Sequence, residues 1–172
     1  MTMQDLFDTI KPEDIQDNIF KLIGSDWMLV CAGTPVHYNM MTASWGTAGI
    51  LWKKPIAIAF IRPQRYTMLF MEENPGYTLN FFDEKHRNIL NLCGSKSGRN
   101  IDKMNVEGLD TMETPSGNLI FKQAKLALEC RKLYFDDIKP ELFLSFDLEK
   151  IYTKKDYHRF FIGEIINVYR AK

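Results

Sequence analysis

The stretch Phe60-Ile-Arg62-Pro-Gln-Arg65-Tyr66-Thr67 sets two guanidiniums three residues apart, between an apolar run and a residue of helix N-cap type. Bidentate arginine donors, free amide hydrogens at a helix start and the positive end of its dipole together suit a phosphate group. The same arginines could instead hydrogen-bond loop carbonyls, and the pattern alone does not choose. A second stretch, Gly94-Ser95-Lys96-Ser97-Gly98-Arg99-Asn100 followed by Lys103, is a small-residue loop carrying three cations. It lacks the spacing Gly-x4-Gly-Lys-Ser/Thr and no apolar strand leads into it, so ATP hydrolysis is rejected. What remains is a loop that could lie against a phosphate or polyol chain, or simply be solvated.

A third stretch, Asn39-Met40-Met41-Thr42-Ala43-Ser44-Trp45-Gly46, alternates small hydroxyl residues with large apolar ones. Such a run can bond the edge of a flat heteroaromatic ligand and pack on its face; an ordinary edge strand has the same pattern. His158 enters an apolar run beside Asp156, a position compatible with proton handling, substrate contact or plain structural hydrogen bonding. Cys130 reads as a buried core thiol. No Ser-His-Asp or Cys-His arrangement stands out, and the carboxylates show no pairing that would specify a hydrolase.

The elements that must position these residues are mostly strands. Trp27–Ala32, Ile56–Ile61, Tyr77–Phe82, Ala124–Phe135 and His158–Tyr169 are bounded by turn residues and rich in β-branched or aromatic side chains. Two of them, around Ile56–Ile61 and Phe160–Ile166, are apolar on both faces, as in central strands of a closed or layered sheet. Pro12 followed by Ile15, Ile19, Leu22 and Ile23, with Gly24 behind, predicts a short amphipathic helix. A second helix is predicted from Thr67, as N-cap, to Asn74-Pro75. A third runs from near Asp83 to Gly94 as its C′ glycine, with His86, Leu90 and Cys93 on one face. Strands without regular intervening helices predict an antiparallel barrel with flanking helices rather than a doubly wound sheet.

The chain has 172 residues, 22 basic and 22 acidic, and is 45% apolar. That length predicts one domain over residues 1–172, large enough to fold without disulfides or a structural metal. Zero net charge argues against a partner held by excess Lys and Arg, whether nucleic acid or an anionic membrane. The aromatic content, 12 Phe, 7 Tyr and 3 Trp, excludes disorder. The longest apolar runs are far short of a bilayer span, and the acidic start Met-Thr-Met-Gln-Asp lacks a signal peptide's pattern. With Cys31, Cys93 and Cys130 odd in number and far apart, a cytoplasmic location is the default expectation. His37, His86 and His158 are scattered, so no metal site is expected.

Six short landmarks in one order resemble the flavin reductase-like family, which includes the flavoredoxins. They are Asn39-Met-Met-Thr-Ala-Ser-Trp-Gly, Lys54-Pro55, Arg62-Pro-Gln-Arg-Tyr-Thr, Tyr77-Thr-Leu-Asn-Phe-Phe, Cys93-Gly-Ser-x-Ser-Gly-Arg with the following Asp-Lys, and the terminal His158-x-x-Phe-Ile-Gly-Glu-Ile. The resemblance implies a mainly β fold, an antiparallel Greek-key split β-barrel with a few flanking α-helices. It implies an FMN cofactor bordered by Met41, Thr42, Ala43, Ser44 and Trp45 at the ring edge. Arg62, Arg65, Tyr66 and Thr67 would serve the phosphate side, with Asn80 contributing and Ser95, Lys96, Ser97, Gly98, Arg99 and Lys103 closing over the cofactor. His158 would stand near the flavin as the catalytic contact to nicotinamide or substrate. A homodimer with each flavin near the subunit interface is also implied.

The function so implied is FMN-dependent oxidoreduction, most simply NAD(P)H-dependent reduction of flavin or another small acceptor. The alternatives are a flavoredoxin-type electron carrier and a flavin-binding barrel without turnover. One departure from the family is the long segment from Tyr134 to Tyr152, where many relatives turn back quickly. It would cover a face of the flavin or extend the dimer contact, and it leaves the electron donor open. The neutral total is also a cancellation of blocks: residues 53–65 and 85–103 each carry +4, while residues 5–17 and 136–149 each carry −4. The two basic blocks contain the residues expected to hold the phosphorylated cofactor.

Overall fold

A computed structural model describes residues 2–172. A helical turn, α1 (Met3–Leu6), leads into β1 (Phe7–Ile10), β2 (Met28–Thr34), β3 (His37–Ala43), β4 (Gly46–Leu51) and β5 (Lys54–Ile61). Then follow α2 (Thr67–Glu73), β6 (Gly76–Phe81), α3 (Arg87–Ser95), β7 (Thr111–Glu113), β8 (Leu119–Phe121), β9 (Leu126–Asp137), the short α4 (Phe146–Glu149) and β10 (Arg159–Ala171). Strands β3-β2-β6-β9-β10-β5-β4 form one antiparallel sheet in that order, with β1 added beside β10 and β7-β8 forming a separate hairpin. The edge strands β3 and β4 are consecutive in the chain, separated only by Ser44 and Trp45. Two residues cannot span an open sheet of seven strands ~4.8 Å apart. The sheet therefore curls until its edges meet, and the fold is a split barrel whose seam is crossed by Ser44-Trp45.

The unbroken apolar runs follow from this arrangement. In β2, Met28, Val30 and Ala32 face a core inside the barrel, where they meet Ala57, Ala59, Tyr77, Leu79, Leu128, Phe161 and Val168. Leu29 and Cys31, on the other face, join an outer core with Met40, Leu90, Cys93 and Phe121 under α3 and the β7-β8 hairpin. A strand buried on both sides has no solvated face to alternate with. Inside the barrel, the buried Tyr77 hydroxyl lies 2.8 Å from the Ala57 carbonyl and 3.1 Å from that of Phe161, tying β6 to β5 and β10. Among the described residues no helix is long and apolar enough to cross a membrane.

The predicted strands appear with small shifts of their ends, but three helix details differ. Pro12 starts only a single 3-10 turn, Pro12–Asp14, and a separate π-helical turn spans Lys21–Asp26. The backbone is extended at Ile15, and Asn18 accepts the amide of Lys21 on its side chain and that of Leu22 on its carbonyl. Asn competes with a regular ladder in this way. Ile15, Ile19, Leu22 and Ile23 still reach the barrel core, so the apolar spacing was met without one continuous helix. Thr67 is the first residue of α2 rather than its N-cap, and its hydroxyl donates to the Asn39 Oδ1 at 2.9 Å. Gly94 lies inside the last turn of α3 rather than at C′; a Cβ there would stand 3.3 Å from the Thr42 Cβ, because helix and strand approach closely.

The hairpin is pinned by one carboxyl group. Glu129 on β9 is fully buried, and four neutral donors converge on it: Thr114 Oγ1 (2.5 Å), Asn118 Nδ2 (2.8 Å), Asn167 Nδ2 (2.8 Å) and Tyr169 Oη (3.0 Å). Removing an acceptor strands its donors in a dry interior, which costs ~1–3 kcal/mol for each donor that cannot find water. Glu129→Ala is expected to lower unfolding stability by about 3 kcal/mol, as read from urea denaturation; a loss below about 1 kcal/mol would show that the hairpin stands without this knot.

Candidate functional site

Two cavities open along the seam and meet at Arg65. The first, of about 250 Å³, is lined by Met41, Thr42, Ala43, Ser44, Trp45, Phe60, Arg62, Arg65 and His158. The seam link and the ends of β3 and β5 supply most of its wall. Thr42 donates its hydroxyl to the Leu90 carbonyl at 2.5 Å, fixing the end of β3 against α3. His158, just before β10, is only 7% exposed. Its ring centroid lies 4.9 Å from that of Trp45 and 6.5 Å from that of Phe60, and its Nδ1 meets the Tyr152 hydroxyl at 2.8 Å. Burial, helped by the nearby Arg62 charge and opposed by Asp156, pushes the imidazole down to about 4. His158 is therefore neutral at physiological pH.

Arg62 sits in this first cavity. Its guanidinium pairs with Asp156 at 2.6 Å and lies 5.1 Å from the Tyr152 ring centroid and 6.0 Å from that of Trp45. Gln64 donates to the same carboxylate at 2.7 Å. Arg62, expected on the phosphate side, lies in the first cavity and not in the second: the chain before His158 returns an acid to it and holds it on the Trp45 side.

The second cavity, of about 180 Å³, is lined by Asn39, Gln64, Arg65, Tyr66, Thr67, Ser95, Lys96, Ser97, Gly98 and Lys103. Arg65 donates to the carbonyls of Gly94 (2.7 Å) and Cys93 (3.3 Å). Lys103, 3% exposed, donates to the carbonyls of Cys93 (2.7 Å) and Met40 (2.9 Å). Both cations therefore satisfy the last turn of α3, where free carbonyls and the negative end of the helix dipole attract positive charge. Neither has a carboxylate beside it. Burial lowers the Arg65 guanidinium from its ordinary value, and burial with the Arg65 charge brings Lys103 down to about 8.

The loop after α3 packs tightly over this cavity. A Cβ at Gly98 would fall 2.0 Å from Asn39 Nδ2, so only glycine lets the loop rest on the Asn39–Thr67 pair. Arg99 stacks at 4.7 Å over Tyr66 and donates to the Gln64 carbonyl at 3.2 Å, fastening the loop from outside the cavity.

The two cavities bring together every residue expected at the site except Arg99, which staples it, and Asn80. Asn80 is buried in β6, donating to the Leu29 carbonyl (3.3 Å) and Thr78 hydroxyl (2.9 Å) and accepting the Phe121 amide (3.3 Å). Its amide is consumed in holding β8, which removes it from the site. Sequence reasoning missed Phe60, Gln64 and, behind the wall, Tyr152; Asp156, noted beside His158, proves to be the partner of Arg62. Phe60 and Gln64 belong to a stretch already singled out for its arginines. Tyr152 lies in a segment with no periodicity, and nothing in the sequence pointed to it. Of the residues lining the two cavities none is Asp or Glu, while Arg62, Arg65, Lys96 and Lys103 are cationic. With Arg62 already paired, the uncompensated charge lies at the Lys103 end.

Residues 20–172 match the family described as the flavin reductase like domain. No match is found among curated proteins. Among solved structures, an FMN-binding protein from Thermus thermophilus with bound p-hydroxybenzaldehyde superposes with a TM-score of 0.69 at 18% identity, covering 95% of this chain and 81% of that one. A flavoredoxin from Methanosarcina acetivorans gives 0.67 at 22%, covering 95% and 75%. An NADH:FAD oxidoreductase from Streptomyces globisporus, in complex with NAD and FAD fragments, gives 0.64 at 14%, covering 86% and 77%. Barrel, seam and family match agree: this chain belongs to the flavin reductase-like family.

Proposed function

We propose that the chain is an FMN-dependent oxidoreductase that takes electrons from NAD(P)H and passes them to flavin or another small acceptor. The observation that carries this reading is the pair of joined cavities, one walled by Trp45, Phe60 and apolar strand ends, the other rimmed by uncompensated cations. A flat ring system with a phosphate tail requires that division. Residues 41–45 would border the ring, while Arg65, Lys96, Lys103 and the hydroxyls of Thr67, Ser95 and Ser97 would receive the phosphate. FMN, when bound, supplies the hydride-accepting and electron-storing chemistry. The protein's part is to hold the ring at the seam, to neutralise the phosphate and to present His158 beside the reacting face.

A homodimer accompanies this reading. Phe20, Ile50 and Trp52 lie 85%, 71% and 55% exposed on and near the edge strand β4, an apolar surface that a second copy would cover.

An absorption spectrum of the purified protein, before and after adding FMN, tests cofactor binding; no affinity for FMN would end the proposal. Stopped-flow bleaching of the bound flavin by NADH or NADPH then separates reductase from electron carrier. Reduction on a catalytic timescale is expected, and its absence with both donors would leave the flavoredoxin role.

Lys103 gives a test specific to the phosphate end. Lys103→Met removes a charge-assisted contact of ~1.5–3 kcal/mol, so FMN affinity should fall by about ten- to a hundredfold in equilibrium titration. The lysine also leaves a mark on stability. Between pH 8, where the native lysine loses its proton, and pH 10.5, its ordinary value, the unfolded chain binds the extra proton. Stability from this group therefore rises with pH across that window, by at most about 1.4 kcal/mol per unit. The buried thiols of Cys31, Cys93 and Cys130 are pushed up and act in the opposite sense above pH 9. The difference between wild-type and Lys103→Met urea profiles isolates the lysine, and saturating FMN should move its onset to higher pH. A flat difference would contradict the buried, uncompensated charge.

A further inference from the structure

The segment between β9 and β10 gives one residue, His158 at its very end, to the lining of the first cavity, and the stretch before it sets what that residue presents. It runs outward through the 3-10 turn Pro140–Leu142 and α4, then returns to bury Tyr152 behind His158. Tyr152 is 6% exposed, and Phe143 and Tyr157 stack beside it with ring centroids 6.0 and 4.9 Å away. Its hydroxyl has one side-chain partner, Nδ1 of His158, at 2.8 Å. A buried hydroxyl must place its proton on an acceptor, and no other acceptor is in reach among the described residues. The hydroxyl proton therefore points at Nδ1, and the neutral ring must carry its own proton on Nε2. Among the described residues the only side-chain hydrogen bond of His158 is the one through Nδ1, and the ring borders the cavity that Trp45 and Phe60 also line.

We infer that Tyr152 is a positioning residue that holds His158 as a fixed Nε2–H donor facing the seam cavity, for an uncharged carbonyl oxygen of the ligand seated there. The charges around the ring support the uncharged partner. Arg62 is the cation beside His158, Asp156 the anion, and the two are paired at 2.6 Å, so the wall as a whole is neutral. The other neighbours of the ring, Trp45 and Phe60, carry no charge. Arg65 also lines the cavity, but its guanidinium is turned to the Gly94 and Cys93 carbonyls. Beside His158 itself a carboxylate would meet only the paired Arg62, whereas a carboxamide or ketone oxygen accepts from Nε2–H without a cation. Acid–base catalysis is not required of His158 in this arrangement. It keeps its proton and orients a carbonyl. The inference rests on the flavin reading only for the identity of the neighbouring cofactor; the tautomer itself does not depend on it.

The test is nitrogen-15 NMR of the full-length protein labelled at histidine, at pH 7, as purified and again after FMN is added. The His158 ring should show a protonated Nε2 and a hydrogen-bonded, unprotonated Nδ1. In Tyr152→Phe, which deletes only the hydroxyl, the two tautomers should mix and the Nδ1 signal should move. FMN affinity should stay within about twofold, while flavin reduction by the active nicotinamide donor should slow about tenfold. A proton on Nδ1 in the wild type overturns the inference. So does a Tyr152→Phe ring spectrum identical to wild type, or an unchanged rate of reduction. If Tyr152→Phe does not fold, the wild-type spectrum still decides the tautomer. If no flavin binds, the functional reading fails while the spectrum still reports the Tyr152–His158 bond.

Discussion

Two cations, Lys103 buried and Arg65 half-buried, both without an acid beside them, set the terms for this structure. Arg65 and Lys103 both reach the last turn of α3 and satisfy carbonyls that would otherwise be orphaned. Through them α3, β3 and the Arg62–Thr67 turn become one unit, because Lys103 also holds the Met40 carbonyl in the middle of β3. Carbonyl dipoles and a helix end compensate such charges only in part. The remainder appears in the lowered titration of both groups and is what an anion in the adjoining cavity would relieve. Fold and binding thus share the same side chains: the interaction that closes this end of the barrel creates the demand for a ligand.

The seam is the second constraint, and it follows from topology. Because β3 and β4 are the two edges of the sheet and are joined by only Ser44 and Trp45, the barrel cannot complete its hydrogen-bond ladder there. Residues 41–45 therefore end a strand beside open space, with main chain and short hydroxyls available to a ring edge. Trp45, at 42% exposure, is the one large side chain on the link and stands against His158. The split supplies a slot, and the charged pair supplies one end of it.

How much of this was legible in the sequence depended on how local the cause was. Strands buried on both faces announce themselves as unbroken apolar runs, so β2, β5, β6, β9 and β10 were readable. The turn from Arg62 to Thr67 was readable because arginine spacing and a following helix are both short-range. The helix expected over residues 12–24 was not formed, because apolar spacing records which side chains reach the core and not the backbone path between them. Asn80 was misplaced for a related reason: a polar residue in a buried strand reads the same whether it faces a ligand or a neighbouring carbonyl. Tyr152 was invisible, since its role exists only once residues 138–157 fold back onto the mouth of β10.

The opening balance of 22 charges against 22 takes its meaning from where the acids are used. In the block from residue 136 to 149, Asp136 pairs with Lys139, Asp137 with Arg159 and Asp147 with Lys150. In the N-terminal block, Asp17 pairs with Arg170, and Asp156, outside either block, takes Arg62. Of these acids only Asp156 comes to the seam, where it is spent on Arg62, and none reaches Arg65 or Lys103. Neutrality across the molecule therefore coexists with a local positive field at the Lys103 end, where low-dielectric walls strengthen it. A chain that gained one carboxylate facing that cavity would keep its fold class and nearly its net charge, yet it would lose the one electrostatic asymmetry from which a bound phosphate would draw its affinity.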